Sequence, residues 1–297
     1  MSGTITFSLD TNGNLTMNAM LAIAGLTVRE AVRRNFVVAG LLICGLFAVV
    51  AYIPIHPRPT MVFDLSPEEV KSLTAALIAS RGSSMVAFFS FLFAVALGAG
   101  TISGEIERGV MSVVAPKPIG RASIYVGKWI GLNLFILPFT LLWTALLQWA
   151  IYKHIGHTVP GLWHATAILA LYPATFTAIT MLFSSFTSTL LATIMPMILA
   201  STAWSEGILK VFGNMFDVAT LKLLARIVVF AAPLNPLSRW VERVLDQPIL
   251  ERVNVFSRMG GAPDPPAQLL DLAWIAIYAA AALLAGLVIF QRRDLAA

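Results

Sequence analysis

Long apolar runs, each ended by a short polar segment, dominate this sequence. A crossing of the hydrocarbon core takes about 20 apolar residues. Six stretches approach that length: 35–53, 85–102, 124–151, 162–183, 189–206 and 272–290. The fifth is short and carries Pro196 mid-run, a break that a neighbouring helix can satisfy inside a bilayer. The fourth carries Pro173 with Thr166, Thr175, Thr177 and Thr180. The runs predict an all-α integral membrane fold of six transmembrane helices, a single domain over 1–297 without internal repeats.

Three further segments do not read as spans. Residues 18–34, NAMLAIAGLTVREAVRR, are apolar on one face and basic at the end, which predicts a helix lying in the membrane interface. The polar tail 1–17 ahead of it alternates at Ile5, Phe7 and Leu9 before Asn12-Gly13, and reads as a hairpin or a disordered tail. The connection 207–271 holds amphipathic stretches at 208–230 and 238–250, then Gly260, Gly261, Pro263, Pro265 and Pro266. Lys210, Asp217, Lys222 and Arg226 oppose a full crossing by the first stretch. It is expected to lie on the outer leaflet or re-enter it.

Composition agrees with the runs. The chain is 58% hydrophobic and 12% charged, with mean hydropathy +0.82, which excludes an ordinary soluble domain. Cys44 is the single cysteine, so no intrachain disulfide forms. The start lacks a basic region followed by an apolar core and is not read as a cleavable signal. With six spans and a cytoplasmic N-terminus, the inner side receives Arg29, Arg33, Arg34, Arg108, Lys117, Arg121, Lys128, Arg292 and Arg293. Only Asp10, Glu30, Glu105, Glu107 and Asp294 oppose them, so both termini are expected in the cytoplasm of a multi-pass cell (inner) membrane protein. This asymmetry accounts for the net charge of +5 without a nucleic-acid partner.

The most organised polar segment lies at 98–131, GAGTISGEIERGVMSVVAPKPIGRASIYVGKWIG, between the second and third runs. Gly100 and Gly104 stand four apart, as do Gly127 and Gly131, a spacing that lets membrane helices approach closely. Glu105 and Arg108 would share one face of a short helix and could pair. Pro116 and Pro118 then stop the helix and stiffen the turn. Arg121 and Lys128 flank the next run, near headgroups.

This segment resembles the signature of permease subunits of ABC-type exporters, the type-2 ABC permease superfamily. The residues that carry the resemblance are Glu105, Glu107, Arg108, Gly109, Pro116, Pro118, Arg121, Gly127 and Lys128. Val110-Met111 departs from it, where many relatives have Thr and a further acidic residue. The resemblance implies an N-terminal elbow helix over 18–34. It also implies a cytoplasmic coupling helix within 98–131, with Glu105, Glu107, Arg108, Gly109, Pro116, Pro118 and Arg121 as the ATPase-coupling residues. It further implies two cytoplasmic ABC ATPase subunits and a second permease copy or paralogue. ATP and Mg would be bound by the ATPase partner, and this chain would hold no cofactor and catalyse nothing itself.

A phosphate loop in this chain is excluded on its residues. Ala122 and Trp129 stand where a P-loop around Gly127-Lys128 needs a glycine and a hydroxyl. Thr177, Thr180 and Glu206 are candidate pathway or gate residues, since polar groups at depth are a default functional hypothesis. The hydroxyls of Thr177 and Thr180 read first as bridges between helices, the common use of hydroxyls in a bilayer. His154 and His157 have helical ligand spacing, but no carboxylate or thiol is close in sequence, and they read as interfacial. Trp129, Trp143, Trp149, Trp163 and Trp204 read as interface anchors. Two other readings stay open: a polytopic enzyme on a lipid-linked substrate, and a membrane anchor that recruits a cytoplasmic complex.

Overall fold

Apolar residues run all round most of these helices, so their packing is decided by where glycine, alanine and aromatic side chains fall. The computed structural model describes residues 17–52, 67–109, 120–231, 234–245 and 269–293. These residues form helices, with no strand among them. In order they are α1 (Met17–Arg33), α2 (Phe36–Tyr52), α3 (Pro67–Ala99), α4 (Ser103–Glu107), α5 (Arg121–Ile155) and α6 (Gly161–Leu169). Then come α7 (Leu171–Ser184), α8 (Thr189–Met215), α9 (Ala219–Ala231), α10 (Leu234–Val244) and α11 (Leu269–Arg292).

The long helix α5 is the axle of the molecule: α1, α2, α3 and α7 all pack against it. Trp143 of α5 is fully buried, with Phe47 of α2, Phe89 and Phe93 of α3, and Phe139 around it. It is therefore a core residue of the bundle rather than an interface anchor. Phe91 of α3 meets Phe176 of α7 edge-on at 4.6 Å, a geometry the ring quadrupoles favour. Helix α11 lies against α7 and α5, and α10 covers α6.

Helix ends follow local chemistry. Asn35, in the left-handed region at φ 60, stops α1 before a 65° bend into α2; asparagine tolerates that conformation better than most residues. Gly156, at φ 70, closes α5 with its N–H on Tyr152 O. Pro173 falls in the first turn of α7, where the missing N–H costs little. The run expected at 162–183 is thus two helices joined at Ala170 and continuing in one direction.

Among the described residues, four helical segments are long and apolar enough to cross a bilayer, or five if the bent pair α1 and α2 counts as one. The structure shows a longer second run than the sequence reading, because α3 begins at Pro67 rather than at 85. Its first turns carry Glu68, Glu69 and Lys71, which lower the hydropathy without breaking the helix. The fifth run survives as the first part of α8, whose described residues Thr189–Thr202 form an apolar helical stretch.

Candidate functional site

The insert between the second and third runs begins where α3 stops at Ala99. Three main-chain groups are exposed by that stop, and a side chain from another helix satisfies them. Ser184, at the end of α7, accepts the N–H groups of Ile102 (3.3 Å) and Ser103 (3.0 Å) and donates to Ala99 O at 2.7 Å. The Ser103 hydroxyl lies 2.9 Å from that of Thr189, which opens α8. The short helix α4 is thereby fixed to α7 and α8 before any charge is considered.

The two carboxylates then act in different directions. Glu107 receives the Thr189 N–H and the Thr189 hydroxyl, each at 3.0 Å, one on each oxygen. A carboxylate at the start of α8 satisfies an otherwise orphaned donor and sits favourably in the helix dipole. Glu105 pairs with Lys128 of α5, which also donates to Thr101 O at 2.9 Å. Both side chains of this pair are largely withdrawn from solvent, 15% and 9% exposed.

The partner expected for Glu105 is therefore corrected. Arg108 does not pair with it; its Nε donates to Gly104 O at 2.7 Å, and the side chain stays exposed. The reason is desolvation. Buried Lys128 requires a carboxylate, while Arg108 at the open end of α4 has water. Gly109 follows at φ 69 and ends the helix. Pro116 and Pro118 lie outside the described residues.

Arginines close the arrangement. Arg121, the first residue of α5, donates to Gln291 O at 2.8 Å and Arg293 O at 3.0 Å, carbonyls left over at the end of α11. Arg293 donates in turn to Ser185 O at 2.7 Å, beyond the end of α7. The ends of α4, α5, α7, α8 and α11 thus form one polar ring, in which each helix end supplies what its neighbour lacks.

The glycine pairs do different jobs. A Cβ on Gly127 would stand 2.8 Å from Met20 O, and one on Gly131 would stand 2.6 Å from Ala24 O, so α1 lies directly on α5 there. Gly100 and Gly104 have no such neighbour, with nearest atoms at 3.8 and 3.5 Å. The sequence spacing is the same; only one pair is a close crossing, and its partner is α1, which spacing within 98–131 does not reveal.

Thr177 and Thr180 are fully buried. Thr177 takes an amide proton from Asn133 of α5 at 3.0 Å, and Thr180 faces Gly98 of α3. Both sit inside the bundle, between α3, α5 and α7. Glu206 is on α8, and its side chain lies outside the described residues. Among the described residues, no three His, Cys, Asp or Glu side chains gather as a metal site would require. Ser184, Thr189, Lys128 and Arg293 belong to the ring, and sequence reasoning missed or undervalued them; the one available signal was their position at the ends of apolar runs.

No curated protein matches the chain. The model of the ABC-2 family transporter proteins matches residues 21–295. A match running from within α1 to beyond the end of α11 makes this protein a member of the ABC-2 transporter family.

Proposed function

We propose that the chain is the transmembrane subunit of an ATP-binding-cassette exporter, whose insert receives force from a separate cytoplasmic ATPase. The observation that supports this most is the polar ring. A contact surface that is to move a bundle of helices must be tied to their ends. Helix α4 is tied directly to α5, α7 and α8, and through Arg121 and Arg293 to α11. A rigid-body push on α4 would then reach all four together.

On this reading α1 is the elbow and α4 the coupling helix. Helices α2, α3, α5, the α6–α7 pair, α8 and α11 are the six spans, with both termini in the cytoplasm. Two ATPase subunits bind ATP and Mg, and a second copy or a paralogue completes the substrate pathway. ATP-driven closure of the ATPase pair would turn that pathway from inward- to outward-facing.

Because Glu105 and Glu107 already serve inside the chain, the docking face is the open end of α4, at Arg108 and Gly109. Arg108→Glu is expected to abolish co-purification with the ATPase while leaving the Tm of the permease within about 2 °C, as for a surface substitution. Co-purification and ATPase stimulation at wild-type levels would show that α4 is not the coupling element.

A further inference from the structure

Helix α1 has four sides, and each meets something different. Ala24, Thr27 and Ala31 are buried against α5. Beside them, Met17, Leu21 and Val32 form an exposed apolar side. On the other flank Glu30 and Arg34 pair at 2.7 Å, and Arg34 Nη1 reaches toward Gly100 at the head of the insert. The fourth side, opposite α5, carries Ala22, Leu26, Arg29 and Arg33, which the helical repeat places in one stripe.

Arg29 and Arg33 differ from the other arginines near the insert. Arg34 has Glu30, Arg121 and Arg293 have carbonyls, and Arg108 has Gly104 O. Arg29 and Arg33 are exposed, stand one turn apart, and make no ion pair or hydrogen bond among the described residues. One turn before them, the same side offers a shallow apolar channel. Ala22 and Gly25 are its floor, with open space above Gly25, and the exposed side chains of Leu21 and Leu26 stand on either flank.

We propose that Arg29 and Arg33 are a binding site for the phosphate of an anionic phospholipid, whose acyl chain runs over Ala22 and Gly25 beside Leu26. Two guanidinium forks at one-turn spacing can share a phosphodiester, each contributing parallel N–H donors. The neighbouring apolar residues decide the class of partner. A lipid offers the anion and the hydrocarbon together, whereas an acidic protein face would leave Leu26 uncovered. The proposal is independent of the coupling assignment, because the stripe lies on the side of α1 away from the bundle.

The test uses the full chain in nanodiscs of phosphatidylcholine, with or without phosphatidylglycerol. Phosphatidylglycerol is expected to raise the Tm of the wild type and to be retained in native mass spectra. The Arg29→Gln/Arg33→Gln variant should lose that rise and retain the lipid about thirtyfold less well, with an unchanged Tm in phosphatidylcholine. Arg292→Gln, which removes an exposed charge from the end of α11, should keep the rise. Equal retention by the double variant overturns the site, and so does an equal loss in Arg292→Gln, which would mean diffuse charge. Should the double variant prove unstable in phosphatidylcholine, Arg29→Lys/Arg33→Lys decides. It keeps the charge without the fork, and full retention there overturns the clamp. Loss of ATPase binding in detergent, with phosphatidylglycerol retention intact, would assign the pair to a protein partner instead.

Discussion

Lys128→Ala is expected to destabilise the protein by about 3–5 kcal/mol, the range for removing one partner of a withdrawn ion pair. The alanine would leave the Glu105 carboxylate and the Thr101 carbonyl facing each other with no donor between them. Thermal unfolding in a fixed detergent or nanodisc measures the loss. The informative comparison is Lys128→Met/Glu105→Leu, which removes both charges. It should recover most of the stability, since two apolar side chains in that place are close to neutral. Equal damage from the single and double variants would mean that Glu105 and Lys128 act separately, and that the pair does not hold α4 to α5.

The second large effect is expected at the crossing of α1 and α5. Gly131→Val places carbon where Ala24 O lies 2.6 Å and Thr27 Cβ 2.7 Å from the glycine's own Cβ position. Main chain cannot rotate aside as a side chain does, so α1 must lift from α5. About 1–3 kcal/mol is the usual range for forcing bulk into a packed seam, and protease cleavage near the end of α1 should become faster. Gly25→Ala is the contrast. A Cβ there meets nothing within 4 Å, and the better helix propensity of alanine should be neutral or add up to about 1 kcal/mol. If both substitutions leave the Tm unchanged, α1 is not seated on α5 by close contact.

Much of the architecture was legible because membrane helices announce themselves by apolar length. The runs at 124–151 and 272–290 correspond to α5 and α11 with ends a few residues further out. The start of α3 was not legible: Lys71 and Arg81 interrupt the hydropathy, while the backbone continues helical through both. Within the site, charge and proline marked the insert, but its partners come from chain positions far away. Glu107 with Thr189, and Arg293 with Ser185, bring together residues separated by 82 and 108 positions. No local spacing rule connects such residues. The Glu105–Arg108 expectation failed for a related reason: a neighbour in sequence lost to a buried lysine that only the fold supplies.

The way the arginines bond has an evolutionary consequence. Arg121 and Arg293 donate to main-chain carbonyls, those of Gln291, Arg293 and Ser185. Every amino acid carries such an oxygen, so Gln291 and Ser185, which only accept, can drift freely in side chain without loosening the end of α11. The donors have no such freedom, because no other side chain offers a long reach with a permanently charged, forked set of N–H groups. Selection on this joint therefore falls on one side of each bond. Two residues carry the whole constraint while Gln291 and Ser185 are free to vary, and the join between α5, α7 and α11 would persist in relatives whose side chains at those two positions have nothing in common.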